Sequence, residues 1–325
     1  MNLLSSTSLY SFFTIISRIF GYVRDILIAI FLGASFFADA FFVAFRLPNT
    51  FRRLFAEGTF NAAFIPSYIA AKVEGKNEGK KFADDVLSSL LLILILVVTL
   101  VEIFAPYLVY IIAPGFTENE VKFELAVQLT RITFPFLLFV SLSSFFSGIL
   151  NSNNKFAAAA AAPIILNIVL IISLITSYYL DLNFVKQLSY GVTLAGFIQL
   201  IFLVYVTLKF YRPNLVLRLK FSSKLKFFFR KLLPSIFSSG VTQINILVGT
   251  IIASFQTGAV SYLYYADRVY QINLAIAGIA VGTVSLPVLS QALKKKNIKK
   301  ISDIQNKCFE LSLLLSIPAS LGLIL

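Results

Sequence analysis

The apolar positions of the chain gather into long blocks separated by short polar punctuation. They run Leu9–Leu32, Phe36–Ala71 with an interruption, Val86–Ile112, Ala126–Leu150, Phe156–Leu180, Ser189–Leu208, Leu232–Phe255, Tyr262–Leu293 and Phe309–Leu325. About 20 apolar residues carry a helix across a bilayer. The pattern therefore predicts eight spanning helices and a ninth that runs to Leu325. Pro48, Pro135, Pro163, Pro234, Pro287 and Pro318 fall inside blocks, and each removes one backbone donor and marks a bend. Such breaks are tolerated at membrane depth only where the backbone is buried in protein or lines a water-filled cavity. The blocks define an all-α polytopic membrane protein.

Composition agrees and removes rivals. The 325 residues are 58% hydrophobic and 13% charged, with 34 Phe, whereas a soluble domain carries about 25% charged residues. There is no His, the single cysteine, Cys308, reads as inert, and no CxxC or HExxH spacing occurs, so metal and redox chemistry have no foothold. Acid–base work is left to carboxylates already surrounded by arginines, which gives no catalytic constellation and predicts a protein that is not an enzyme. No GxxxxGK[ST] motif is present. Energy must then come from the membrane potential, an ion gradient or downstream consumption, and no cofactor is expected.

The net charge of +13 acquires meaning once it is placed against the membrane. With the amino terminus in the cytoplasm, the linkers Lys72–Asp85, Asn151–Lys155, Lys209–Lys231 and Lys294–Lys307 all lie inside and hold most of the basic residues. The outside linkers hold Lys122 and Lys186, beside Glu118, Glu120 and Glu124. That asymmetry is the positive-inside rule, with anionic membrane lipid as the surface partner, and it removes a nucleic-acid reading.

The charges inside the blocks are the functional signal. Asp39, Arg46, Arg52, Arg53 and Glu57 lie between Asp39 and Pro66, and the first block places Thr7, Ser11, Thr14, Arg18, Gly21 and Asp25 on one helical face with Ser17 and Arg24 beside them. A charge at the bilayer centre costs roughly 3 kcal/mol on insertion scales, so these side chains face a protein interior or a polar chamber. Any single one of them could merely glue two helices. Arginines outnumber the carboxylates, however, and surplus guanidinium in a membrane chamber suits an anionic guest. Arg268, in Tyr264-Tyr265-Ala266-Asp267-Arg268, is assigned to the same chamber. Ala157–Ala162, with Pro163 and Asn167 following, reads as a smooth packing face with a kink, and Gly278 and Gly282 form a weak GxxxG.

Ala29–Ala34 followed by Ala44–Leu47 resembles Ala253–Ala259 followed by Ala266–Val269. A repeat restarting after six spans gives two parallel lobes. Residues 1–208 form a complete six-helix lobe, 209–231 a basic cytoplasmic inter-lobe linker, and 232–325 about three helices of a second lobe. A full second lobe would need more chain, so the sequence reads as truncated.

Several motifs together carry a family resemblance. Ser17-Arg-Ile-Phe-Gly-Tyr-Val-Arg-Asp25, Asp39-Ala-Phe-Phe-Val-Ala-Phe45, Arg46-Leu-Pro-Asn49, Arg52-Arg-Leu-Phe-Ala-Glu-Gly58 and Ala63-Phe-Ile-Pro66 resemble the MurJ (MviN) family of lipid II flippases. So do Gly148-Ile-Leu-Asn-Ser152, Tyr265-Ala-Asp-Arg268 and Gly282-Thr-Val-Ser-Leu-Pro287. The resemblance implies a two-lobe bundle of the multidrug/oligosaccharidyl-lipid/polysaccharide (MOP) exporter superfamily in the bacterial cytoplasmic membrane. It further implies movement of undecaprenyl-pyrophosphate-linked peptidoglycan precursor by alternating access, with the cell-wall synthesis machinery as a further partner. By the same resemblance Arg18, Arg24, Arg52 and Arg268 bind substrate, and Asp25, Asp39, Arg53 and Glu57 are ion-pair partners in the cavity or its gates. Two alternatives stay open: a related exporter of another lipid-linked oligosaccharide or a drug, and a non-transporting remnant. A cationic-drug exporter would call for an acidic cavity.

Overall fold

A computed structural model of the chain describes residues 3–54, 60–214, 223–273, 289 and 298–324. Every regular element among them is helical. The helices are α1 (Leu3–Leu32), α2 (Phe36–Leu54), α3 (Phe60–Glu74), α4 (Lys76–Ile112), α5 (Glu120–Thr133), α6 (Phe136–Ser152), α7 (Phe156–Tyr179), α8 (Phe184–Thr207), α9 (Ser223–Ala253), α10 (Ala259–Asn273) and α11 (Ile298–Ile324), with a 3₁₀ turn at Pro114–Glu118. Among the described residues, four segments are long and apolar enough to cross a membrane: Lys76–Ile112, Glu120–Ser152, Phe156–Tyr179 and Phe184–Thr207. The chain divides into two compact units, Met1–Ser261 and Tyr262–Leu325.

Helix boundaries follow local chemistry. Gly33, at φ 58, ends α1 in the left-handed region that glycine occupies without strain. The hydroxyl of Ser35 accepts from the Ala38 amide to start α2, and Asn119 accepts from the Lys122 amide at 3.1 Å to start α5. The interrupted block becomes α2 and α3. Two expectations need correction. Val86–Ile112 is only the apolar part of α4, which begins at Lys76; Phe82 and Ala83 are buried, so residues expected in a linker continue the helix. Likewise α9 begins at Ser223, ahead of the expected Leu232, because Leu225 and Phe228 bury themselves in the first unit's core.

That core is aromatic. Phe64 packs on Phe60, Tyr68 and Phe145 with ring centroids 5.1–5.6 Å apart, and Phe228 of α9 closes edge-on over Phe60 at 5.7 Å. Beside it, Lys224 bonds Glu74 and Glu78; those bonds, Glu74's first, hold its ammonium above the usual lysine range. Tyr211 donates to Asp84, and burial, reinforced by that carboxylate, keeps the phenol protonated well past its ordinary range. The outer surface is the reverse of a soluble protein's. Ile15 and Ile19 on α1, Leu96, Ile103 and Tyr107 on α4, and Phe197, Ile201 and Tyr205 on α8 are exposed, while Ser88, Ser89, Ser141, Ser143, Ser144 and Ser189 are buried between helices. A bilayer is the solvent that suits this arrangement.

Two prolines leave backbone carbonyls that α5 and its final turn satisfy. Pro48 has no N–H to return to the carbonyl of Ala44, and the buried hydroxyl of Thr133 donates to that oxygen at 3.0 Å. Pro106 likewise strands the carbonyl of Glu102, where α4 leaves helical geometry at Phe104 (φ −100, ψ 20), and Arg131 Nε donates to it at 3.2 Å. Unsatisfied carbonyls are costly in an apolar medium, so α5 supplies the missing donor at both prolines. Thr133→Val, nearly isosteric, is expected to lower unfolding stability by about 1–3 kcal/mol, whereas Thr133→Ser keeps the bond. Thermal unfolding in detergent reads the difference, and equal midpoints for the two variants would remove the hydroxyl from this role.

In the second unit, α11 carries the partly buried Cys308, and the part of α10 beyond Ser261 carries Arg268. The GxxxG pair Gly278 and Gly282 lies outside the described residues.

Candidate functional site

Asp39 sits in the first turn of α2 and is completely buried (0% exposed). A carboxylate in that position needs its lone pairs filled. One oxygen accepts from Lys122 Nζ at 2.8 Å and the Gly258 amide at 2.7 Å; the other accepts from the Ser261 amide at 3.0 Å and its hydroxyl at 2.7 Å. The two amides belong to the start of α10, so Asp39 acts as an anionic cap on that helix from another part of the chain. Lys122, 4% exposed, stands over the Phe116 ring, 4.1 Å from its centroid.

The neighbouring turn fits the same junction. The Gly115 amide donates to Ser254 Oγ at 3.0 Å, and a Cβ on Gly115 would come within 2.5 Å of the Phe255 backbone. Only glycine permits that approach. The α4–α5 turn and the α9–α10 turn are thereby locked together with α2 at one end of the helices. Lys122 is the main residue that sequence reasoning misplaced: read as an outside linker charge, it is a buried ion-pair partner. Among glutamates at a helix start it resembles a solvated residue, and Asn119 capping α5 was the one local signal that it opens a helix.

Arg24 and Asp25, adjacent on α1, form a second buried cluster, at 7% and 8% exposure. Arg24 Nε and Nη2 both donate to Asp25 Oδ1, at 2.9 and 2.5 Å, and Nη1 donates to Asn167 Oδ1 on α7 at 2.8 Å. Asn167 in turn donates from Nδ2 to the Ser17 carbonyl at 2.9 Å. Asn167, read from sequence as part of a packing face, is a polar bridge to α1. A lone amide in an apolar block was the available signal, since such a group seeks a partner across helices.

Arg52 is half-buried on α2 and its Nε donates to Asn49 Oδ1 at 3.0 Å. Arg18 is exposed on α1. Arg268 lies in the second unit, with its guanidinium 4.8 Å from the Tyr264 ring centroid and Nη2 donating to Tyr264 Oη at 3.0 Å. The Arg53 side chain and Glu57 lie outside the described residues. The structure thus joins Arg24 to Asp25 and Asp39 to Lys122.

These features define a class: a polytopic helical membrane protein with charged groups folded into its interior. Solved MOP structures share the fold. A MOP superfamily transporter from Pyrococcus furiosus superimposes with a TM-score of 0.61 at 18% identity, over 98% of this chain and 70% of that one. The chain belongs to the lipid II flippase MurJ family, whose model matches residues 28–325. It is 43% identical to a probable lipid II flippase MurJ of Rhizobium tropici over 95% of this chain and 59% of that protein. It is 40% identical to that of Rickettsia prowazekii, over 100% of this chain and 64% of the relative. A structure of lipid II flippase MurJ in an inward closed conformation matches with a TM-score of 0.80 and 29% identity, over 97% of this chain and 65% of that one. The chain therefore spans about three-fifths of the length of these curated relatives. The family is one of transporters, not enzymes.

Proposed function

We propose that the protein moves lipid II, an undecaprenyl-pyrophosphate-linked peptidoglycan precursor, from the inner to the outer leaflet of the bacterial cytoplasmic membrane by alternating access. Its amino terminus is cytoplasmic in this reading. Arg18, Arg24, Arg52 and Arg268 line a central cavity and hold the pyrophosphate, while Asp25, Arg53 and Glu57 partner them there or at a gate. Asp39, whose carboxylate meets Lys122, belongs to the same set of cavity or gate ion pairs. The cell-wall synthesis machinery takes the delivered product.

The observation that carries this reading is Arg24. A guanidinium at 7% exposure is held by one carboxylate oxygen and one neutral amide, in a family of lipid II flippases. Its planar fork matches a phosphate's oxygens. Moving each negative charge outward across an inside-negative membrane gains ~2.3 kcal/mol per 100 mV, so the membrane potential, or an ion gradient, supplies the drive.

The test is transport of fluorescent lipid II in vesicles holding the purified protein, scored by loss of label to a membrane-impermeant quencher under an imposed potential. The parent is expected to move the label and Arg24→Ala to fail. Transport of a cationic drug with lipid II left in place would replace this reading with the drug-exporter one.

A further inference from the structure

The amide of Asn167 on α7 ties together two parts of α1. Its Nδ2 donates to the Ser17 carbonyl at 2.9 Å and its Oδ1 accepts from Arg24 Nη1 at 2.8 Å. Only one orientation of the amide serves both partners, because a carbonyl must receive a donor and a guanidinium must meet an acceptor. Gly21, one turn after Ser17, presents no side chain, and a Cβ there would lie 3.5 Å from Asn167 Nδ2. The amide therefore lies directly against the α1 backbone, and at 6% exposure it is shut off from solvent.

Asn167 also determines what Arg24 can do. Of the guanidinium's N–H donors, Nε and one on Nη2 are taken by Asp25 Oδ1. Asp25 is Arg24's immediate neighbour on the same helix, so that contact by itself leaves the plane of the guanidinium free to swing about one oxygen. A bond to Nη1 from a different helix removes that freedom. It does so with a neutral group, which keeps the positive charge available to a further anion; a carboxylate at the same place would neutralise it.

We propose that Asn167 is a positioning residue for anion recognition: it fixes the Arg24 guanidinium plane on α1 so that the donors used by neither Asp25 nor Asn167 face an incoming pyrophosphate. This rests on the reading of Arg24 as a headgroup ligand. The expected consequence is a loss of affinity for a polyprenyl pyrophosphate that acts entirely through Arg24.

The experiment is native mass spectrometry of the full-length protein with undecaprenyl pyrophosphate, as a double-mutant cycle over Arg24→Ala and Asn167→Ala. Asn167→Ala is expected to weaken binding about tenfold in the parent and by nothing further in the Arg24→Ala background. Asn167→Asp, of equal size and independent of any cavity left by alanine, is expected to weaken binding at least as much, because its carboxylate competes with phosphate for the guanidinium. Asn167→Gln, which keeps a donor and an acceptor, is expected to recover part of the loss. If Arg24→Ala loses binding while Asn167→Ala either has no effect or costs the same factor in both backgrounds, Asn167 is only a packing group and the positioning role is overturned, with the Arg24 site intact. If Arg24→Ala binds like the parent, the headgroup site itself is elsewhere and the positioning role falls with it.

Discussion

Lys122→Met is expected to release the amides of Gly258 and Ser261 to hydrogen exchange about a hundredfold faster than in the parent. Breaking a buried ion pair by removing one partner typically costs about 3–5 kcal/mol, because the remaining charge stays buried without compensation. Asp39 would retain two amides and a hydroxyl but would lose the cation that lies 2.8 Å away. Its cheapest response is to leave the junction and reach water. Departure uncaps α10 and frees the Ser261 hydroxyl, so the peptide spanning 256–262 reports the event directly.

Asp39→Asn is expected to act in the same direction. Its amide nitrogen would be a donor facing either the Gly258 amide and Lys122 or the Ser261 amide, all of which are donors, with only the Ser261 hydroxyl able to turn and accept. Hydrogen exchange followed by mass spectrometry measures both variants, and the double variant Lys122→Met with Asp39→Asn is expected to be less severe than the sum of the two because the charge left behind is gone. Unchanged protection of residues 256–262 in Lys122→Met would show that the ion pair does not hold this end of the helices.

Arg24→Lys is expected to weaken binding of undecaprenyl pyrophosphate by about tenfold to a hundredfold, the range for losing one or two charge-assisted hydrogen bonds. The substitution keeps the charge and removes the fork. An ammonium cannot span Asp25 and Asn167 while presenting a flat donor edge to phosphate. Asp25→Asn is expected to move affinity the other way. In the structure Asp25 Oδ1 accepts from both Nε and Nη2 of Arg24, so it lowers the positive potential that the remaining guanidinium donors offer to phosphate. Binding titrations of the two variants at one ionic strength therefore separate in sign. Weaker binding by Asp25→Asn would make Asp25 a support that holds Arg24 in place.

Much of the architecture was legible because its cause is local. Runs of apolar residues of bilayer length make helices whatever surrounds them, and the segments predicted around Val86–Ile112, Ala126–Leu150, Phe156–Leu180 and Ser189–Leu208 correspond to helical segments long and apolar enough to cross a membrane. The bend in the block around Pro135 was equally legible, since proline cannot complete the ladder. Helix starts were less so. Lys76–Asp85 is polar enough to pass for a linker, and it is helical because Phe82 and Ala83 find a core to enter, a fact that depends on α3 and α9.

The candidate site divides the same way. That charges within apolar blocks must be buried in protein follows from the cost of exposing them to lipid, and Arg24, Asp25 and Asp39 are buried. Their partners were not legible, because a partner is chosen by proximity in space. Asp39 meets a lysine 83 positions away and amides more than 200 positions away; Arg24 meets an asparagine 143 positions away.

The sequence by itself determined the membrane class, the helical blocks, the break at Pro135 and the identity of the charges that could not face lipid, all consequences of one-dimensional pattern and transfer energy. The tertiary structure alone decided that Lys122, Gly258 and Ser261 close around Asp39, that Thr133 and Arg131 satisfy the carbonyls stranded by Pro48 and Pro106, and that Asn167 joins Arg24 to α7. The reason is physical: a buried charge or carbonyl requires a donor or acceptor within about 3 Å, and only the packing of distant helices brings one there.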